Sequence, residues 1–392
     1  MKILSVNAGS SSLKFQMYEM PEEKVLISGV FERIGIGNSF YTIKLNGEKI
    51  KKERELSNHE EAVKILTDEL LENKVVSSLN EIEAIGHRMV HGGDKYQKST
   101  IINDEVIRDS EALIELAPIH IPANLTGVRA FQKIIKDATP VAVFDTSFHQ
   151  TLPKEAYIYS VPYEWYEKYG VRKYGFHGTS HKYVSMRMNE ILGRDDTKII
   201  TCHIGSGGSV SAVLNGKSID TSLGFTPNSG IMMGTRSGDI DSSIISFIVK
   251  EAGLSLSEVD NILNKKSGLL GVSKKYSDSR DIENGIKNGD ELCILAQEIY
   301  VRKIVEYIAK YYVLLGGCDA IVMTAGVGEN SINTRKQIIE KLSVLGIELD
   351  EERNNIRGEE AKITKDSSKV PVWVLPTDEE LMIARDTYNL TK

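Results

Sequence analysis

A chain of 392 residues is too long for one ordinary domain and fits two of roughly 150 to 200 residues each, with room for a cleft between them. Its 41% hydrophobic and 26% charged residues give each half a core and exclude a disordered chain. The net charge of −7 is mild and no basic run occurs, which argues against a nucleic-acid groove or an anionic-membrane surface; an anionic ligand has to be held by local cations.

Three cysteines, Cys202, Cys293 and Cys318, show no CxxC or metal-type spacing, so buried thiols in a reducing compartment are expected. The opening apolar alternation stops at Asn7, too short for a secretion signal, and no apolar run approaches the ~20 residues of a membrane span. A cytoplasmic protein without membrane partners is the expectation.

Residues 2–17 alternate as two strands around the small, hydroxyl-rich turn Gly9-Ser10-Ser11-Ser12, followed by Lys14, and predict a hairpin. Backbone N–H groups, the hydroxyls of Ser10 and Ser12 and the Lys14 ammonium suit such a turn to phosphate. An amphipathic helix is predicted over 59–73, and Arg88 follows in the low-bulk string Gly86-His-Arg-Met-Val-His-Gly-Gly93. Beyond His120, Pro122 is read as a breaker before a helix over 124–136, and Val141 to Phe144 is a buried strand that delivers Asp145 at its end. The polar, aromatic stretch after Asp145 is the natural boundary.

The second half restarts the pattern. Residues 199–214 again read strand, small turn (Gly205-Ser206-Gly207-Gly208) and strand. Asn7 aligns with His203, Gly9 with Gly205 and Ser10 with Ser206, half the chain's 392 residues away, as a duplicated domain requires. The strand 370–375 echoes 141–145 and precedes Asp378 and Glu379. Before it come a long helix over 291–315 and a buried strand, 320–324. That strand runs into Ala325-Gly326-Val327-Gly328-Glu329-Asn330-Ser331, read as a glycine loop ahead of a helix beginning near Ile332 and suited to the nucleoside end of ATP. Strands alternating with helices throughout make the class α/β.

No GxxxxGK[ST] string exists, which excludes a P-loop, and the glycines after His203 continue into a strand, which excludes a dinucleotide fingerprint. Two phosphate-sized hairpins remain, with Arg88, with Arg236 in Gly234-Thr-Arg-Ser-Gly-Asp239 and with His177 in Tyr174-Gly-Phe-His-Gly-Thr-Ser-His181. A phosphoryl group in flight spreads negative charge over its equatorial oxygens, so it needs cations around it and a metal on the donor chain. Arg88, Arg236 and His177 supply the first, and Asp145 and Glu379 are placed to hold Mg²⁺.

These strings, together with Asn7-Ala-Gly-Ser-Ser-Ser-Leu-Lys14, Phe144-Asp-Thr-Ser-Phe-His149, Met233-Gly-Thr-Arg-Ser-Gly-Asp-Ile-Asp241 and Thr324-Ala-Gly-Val-Gly-Glu-Asn330, resemble the acetate kinase family from Lys2 to Arg385. The resemblance implies two duplicated actin-like (ribonuclease H-like) domains, 1–147 plus 377–392 and 148–376. The second would carry most of the nucleotide site and the surface of a homodimer. It implies Mg²⁺-dependent, in-line transfer from ATP to acetate, with Arg88 and Arg236 as clamps, His177 and Arg236 stabilising the transition state, and Asn7, Asp145 and Glu379 organising the metal. His120 would line the phosphate channel with His203. Gly205, Ser206 and Gly207 would hold donor phosphates, and Asp278, Arg280, Gly326, Gly328 and Asn330 would border the adenosine.

Val90, Ile119, Phe176 and Pro227 would form the acyl pocket, whose size discriminates acetate from propionate by only ~1 to 3 kcal/mol per methylene. The chain departs from the family pattern at Ser206, where asparagine is usual, at Asn228-Ser229, usually a bulkier apolar and acidic pair, and at Ile121. The rival readings are a propionate-preferring kinase and a non-catalytic actin-like assembly protein that binds ATP to polymerise.

Overall fold

A computed structural model describes all 392 residues and divides them into two compact units, Met1–Phe148 with Asp378–Lys392, and His149–Thr377. The first is built on an eight-stranded sheet: β1 (Lys2–Ala8), β2 (Ser12–Glu19), β3 (Lys24–Glu32), β4 (Phe40–Leu45), β5 (Glu48–Glu53), β6 (Ile82–Met89), β7 (Thr100–Ile101) and β8 (Thr139–Phe144), in the order β5-β4-β3-β2-β1-β6-β8-β7. The second has six strands: β9 (Lys198–Ile204), β10 (Gly208–Leu214), β11 (Lys217–Thr221), β12 (Ala320–Thr324), β13 (Ala361–Lys362) and β14 (Val372–Val374), in the order β11-β10-β9-β12-β14-β13.

The duplication expected from the two hairpins is present in the topology. β3-β2-β1-β6-β8 and β11-β10-β9-β12-β14 are the same five-strand arrangement: an antiparallel meander first, then two strands added parallel to its first member across helical connections. Adding a parallel strand demands such a crossover. The first hairpin pairs Asn7 with Lys14 and Ala8 with Leu13; the second pairs His203 with Ser209 and Ile204 with Gly208, so its turn is one residue shorter. β1 and β9 are buried along nearly their whole length, as expected of strands with helices packed on the sheet.

The C-terminal helix, Glu379–Thr391, belongs to the first unit and lies against β6 at Gly86, where a Cβ would come within 2.3 Å of the Thr387 hydroxyl. Glycine at that position lets the helix approach the sheet, and the approach delivers Glu379 to the end of β6 where Arg88 stands.

Two expectations are corrected. Pro122 does not precede its helix but lies inside the first turn of His120–Ile134, where an N–H has no intrahelical partner to lose. The stretch after β12 is not an open loop: Ala325–Asn330 is a short helix entered directly from the strand, and a second helix, Ile332–Lys341, follows. The Glu329 carboxylate makes the sharp entry possible by accepting the N–H of Ala325 (2.8 Å), a non-glycine residue at φ +65°. The helix over 291–315 is observed as Glu291–Leu314.

Each unit buries a histidine that burial keeps neutral. His87 is pushed down to about 3 and His149 to about 4, from an ordinary 6.5. The unfolded chain takes up protons near pH 6.5 while the folded one resists, so this stability is fully present above pH 6.5 and is lost as pH falls through the window. We expect each to cost about 2 kcal/mol between pH 7 and pH 5, read as a falling urea midpoint that His87→Phe partly flattens. A midpoint constant between pH 7 and 5 would sink the assignment.

Candidate active site

In the first unit the end of β6, the end of β8 and the start of the C-terminal helix meet on one guanidinium. Arg88 grips Asp145 with two parallel bonds, Nε to Oδ1 at 3.0 Å and Nη2 to Oδ2 at 2.6 Å, while its Nη1 donates to Asn7 Oδ1 at 3.3 Å and Glu379 Oε2 lies 3.9 Å from Nε. Burial works against the Arg88 charge, but the carboxylates of Asp145 and Glu379 outweigh it and hold the guanidinium above its usual value. Glu379 moves the other way: burial pushes it up to about 7, with Asp145 and Glu380 adding to the rise and Arg88 opposing it.

The first hairpin turn is closed by its own backbone, Gly9 N–H to Ser12 O at 2.9 Å, and leaves Ser10 exposed; the Lys14 ammonium is paired with Glu380. Val90 is buried at the end of β6, its N–H bound by Asn124, whose amide also donates to Ala8 O. Ile119, 50% exposed, and His120, at the start of its helix, lie on the surface of this unit.

In the second unit a different arginine waits without a counter-ion. Arg236 is half-buried, donates from Nη1 to the Pro227 carbonyl at 3.0 Å and touches no carboxylate; burial holds its pKa below the usual value. Its Nη1 and the Nε2 of His177 converge on the second hairpin. A Cβ built on Gly207 would stand 3.5 Å from both, so the glycine leaves the space beside the two nitrogens open. His177 caps the helix Gly178–Leu192 at φ +56°, a conformation costly for a side-chain-bearing residue, and its ring stacks on His203 at 4.2 Å. Phe176 is buried, with its carbonyl bound by His149.

Beside this point opens a cavity of about 490 Å³ that takes in Gly205, Ser206, Asp278, Arg280, Gly326 and Asn330. Gly328 is not brought to it: the residue is buried against Met323 in the core. Asp278 and Arg280 are paired at 2.6 Å, but with Arg280 86% exposed the pair is cheap to open toward a ligand. Arg236, without a carboxylate partner, and the His177 ring stand together at a glycine turn beside a 490 Å³ cavity with serine residues on its wall, an arrangement able to hold an anion.

The acetokinase family model matches residues 2–385, and the acetate kinase of Bacillus subtilis is 52% identical over the whole of both chains. The chain belongs to the acetokinase family. The acetate kinase of Bacillus velezensis is likewise 52% identical over the whole length. Among solved structures, the Porphyromonas gingivalis acetate kinase superposes with a TM-score of 0.94 at 47% identity over 100% of both chains. A Francisella tularensis propionate kinase does so with a TM-score of 0.94 at 43% identity over 99% of each.

Several residues that shape this acetokinase site escape the sequence reading. Arg335, fully buried, donates to the carbonyls of Gly328 and Glu329 at 3.1 and 2.9 Å, and to Asn354 and Ile356. It thereby ties the short helix Ala325–Asn330 to the segment carrying Arg357, which lines the cavity and donates to the Asn330 carbonyl. Nothing in the local pattern separates Arg335 from a surface arginine on an amphipathic helix. Glu283 and Ser331, also on the wall, are bonded to each other. His181 does carry a signal, the four-residue spacing from His177 that puts both rings on one helix face.

Ser206 is exposed on the cavity wall. An amide reaches farther than a hydroxyl and brings two donors to a phosphate oxygen. Ser206→Asn is therefore expected to tighten ATP binding about tenfold, on the scale of one added hydrogen bond to a charged group, about 1.5 kcal/mol, with the acetate-to-propionate ratio unmoved. An unchanged ATP dissociation constant by calorimetry would remove Ser206 from the phosphate site.

Proposed function

We propose that the chain catalyses the reversible, Mg²⁺-dependent transfer of the γ-phosphoryl group of ATP to acetate, giving acetyl phosphate and ADP in one in-line step. Family membership supports the reaction class, and one observation carries the site: Arg236, half-buried without a carboxylate partner, meets His177 over Gly207. A desolvated cation left unpaired is a site prepared for an anion. Acetate is ionised at neutral pH and needs no general base, so the protein's work is positioning and charge stabilisation.

In this reading Arg88 orients the carboxylate, Arg236 and His177 stabilise the transferring group, and His120 and His203 line the phosphate path. The turns at Ser10, Ser12, Lys14 and at Gly205, Ser206, Gly207 take donor phosphates, and Asp278, Arg280, Gly326 and Asn330 border the nucleoside. Val90, Ile119, Phe176 and Pro227 set the acyl pocket.

No three His, Cys, Asp or Glu side chains form a metal cage, but Mg²⁺ takes only one or two carboxylates plus substrate phosphates. The oxygens of Asn7, Asp145 and Glu379 around Arg88 are such a hard-ligand set. When bound, the ion would neutralise phosphate charge.

An acyl-phosphate trapping assay with ATP and C2 to C4 acids tests the proposal. No product with any acid would sink it and favour the assembly-protein reading. Preference for propionate would select the second reading, which the likeness to the Francisella tularensis propionate kinase favours.

A cytoplasmic setting accords with three free cysteines; no helix is long and apolar enough to cross a membrane. A homodimer through the second unit is supported by the helix Ser243–Ala252, which is largely apolar yet buries none of its residues: Ile244 is 44% and Phe247 61% exposed. The double variant Ile244→Glu, Phe247→Glu is expected to sediment as a monomer at micromolar concentration, where the parent sediments as a dimer. A parent of monomer mass would end that proposal.

A further inference from the structure

Behind His177, in the second unit, three buried side chains form a hydrogen-bond chain that the proposed reaction does not itself call for. His177 Nδ1 is 2.9 Å from Ser209 Oγ, Ser209 Oγ is 2.7 Å from His181 Nε2, and His181 Nδ1 is 2.7 Å from Thr201 Oγ1. Thr201, His181 and Ser209 are all fully buried. Ser209 reaches both rings because β10 places it directly opposite His203 on β9, while His177 and His181 stand one helical turn apart.

The direction of the chain follows from counting hydrogens. The Thr201 hydroxyl has His181 Nδ1 as its one hydrogen-bond partner, and a buried O–H left without an acceptor costs about 1 to 3 kcal/mol, so Thr201 donates. Burial, with His149 and His203 nearby, holds His181 neutral. A neutral imidazole has one N–H; with Nδ1 accepting, it lies on Nε2 and is donated to Ser209 Oγ. The single Ser209 hydrogen is then left for its other partner, His177 Nδ1.

We propose that the relay Thr201→His181→Ser209→His177 locks the His177 imidazole as the tautomer protonated on Nε2, making Ser209 and His181 positioning residues for phosphoryl transfer. The inference rests on the reading of His177 as a group that touches the transferring phosphoryl. That group is rich in acceptors and has no hydrogen to give. The opposite tautomer would aim a lone pair at it from the point over Gly207 where Nε2 and Arg236 Nη1 converge. The relay makes a neutral His177 a donor on the site side, with its other nitrogen fixed from behind.

The test uses the full-length protein labelled with ¹⁵N-histidine. Long-range ¹H–¹⁵N correlation separates the two tautomers, and the His177 signals are those lost in His177→Ala. The expected spectrum shows His177 protonated on Nε2. Ser209→Ala is expected to give a mixture of tautomers and a turnover lowered about tenfold or more, below the ~10²- to 10³-fold cost of deleting a donor outright, with KM for ATP and acetate within about twofold. His181→Gln keeps an amide N–H near the Nε2 position and is expected to retain the Nε2–H tautomer and most turnover, whereas His181→Leu is expected to lose both.

A parent spectrum with His177 protonated on Nδ1, or a Ser209→Ala spectrum unchanged from it, overturns the relay. Should His181→Leu fail to fold, the parent and Ser209→Ala spectra decide. Near-normal turnover in His177→Ala overturns instead the reading of His177 on which the inference rests, and the turnover of that variant tells the two failures apart.

Discussion

Arg236→Ala is expected to lower turnover by about 10³-fold or more, the scale of an arginine that meets transition-state charge, while leaving the melting temperature equal to the parent's or slightly higher. The second half of that expectation is the discriminating one. Arg236 has no carboxylate partner, only the Pro227 carbonyl and the Met233 sulfur, and burial holds its pKa down, so the folded chain carries the cost of a partly desolvated charge. Deleting the charge relieves that cost in the free enzyme, as a functional group kept at the expense of stability should. Phosphoryl-transfer kinetics with thermal unfolding checks both. Near-normal turnover would show that Arg236 does not touch the transferring group; a large fall in melting temperature would show it to be structural.

Arg88→Ala is expected to fail on both counts. Asp145 is 1% exposed and has its charge balanced by the bidentate grip of a guanidinium that is itself only 26% exposed. Removing one member of a buried pair leaves the other uncompensated, at about 3 to 5 kcal/mol, and the crowding of Asp145, Glu379 and Glu380 worsens without the cation. Turnover should fall by about 10³-fold as for Arg236, with a clear loss of stability that the double variant Arg88→Ala, Asp145→Asn partly restores. The contrast separates two arginines that the sequence presents alike, each in glycine-rich surroundings. Denaturation of the four proteins side by side measures it, and equal stability of Arg88→Ala and parent would mean that Asp145 is solvated or protonated in the fold.

How much of this was legible beforehand differs from element to element. The hairpins were readable because period-two alternation and a small-residue turn are local signals, and their recurrence half a chain later pointed to duplicated sheets. The helix after Pro122 was misplaced because proline within a first turn looks, in sequence, like proline before a helix. The short helix Ala325–Asn330 was missed because two glycines outweigh helical propensity, and the Glu329 carboxylate that makes the sharp entry possible is visible only in three dimensions. Gly328 was assigned to the nucleoside wall with Gly326, yet on a helix the two face different ways, one to the cavity and one to Met323.

The sequence by itself determined the α/β class, the duplication and the residues able to carry phosphoryl chemistry, because each is written in local periodicity, turn composition or a contiguous string. Only the tertiary structure decided which of those residues are neutralised and which are left charged, and which hydrogen each buried ring carries. Arg88 is paired because β6, β8 and a helix from the far end of the chain meet at its guanidinium; Arg236 is unpaired because no acidic residue reaches it. Thr201, His181 and Ser209 bond to one another because β9, β10 and the helix after His177 are packed face to face. Charge balance and proton placement depend on distances between residues remote in sequence, and those distances exist only once the chain has folded.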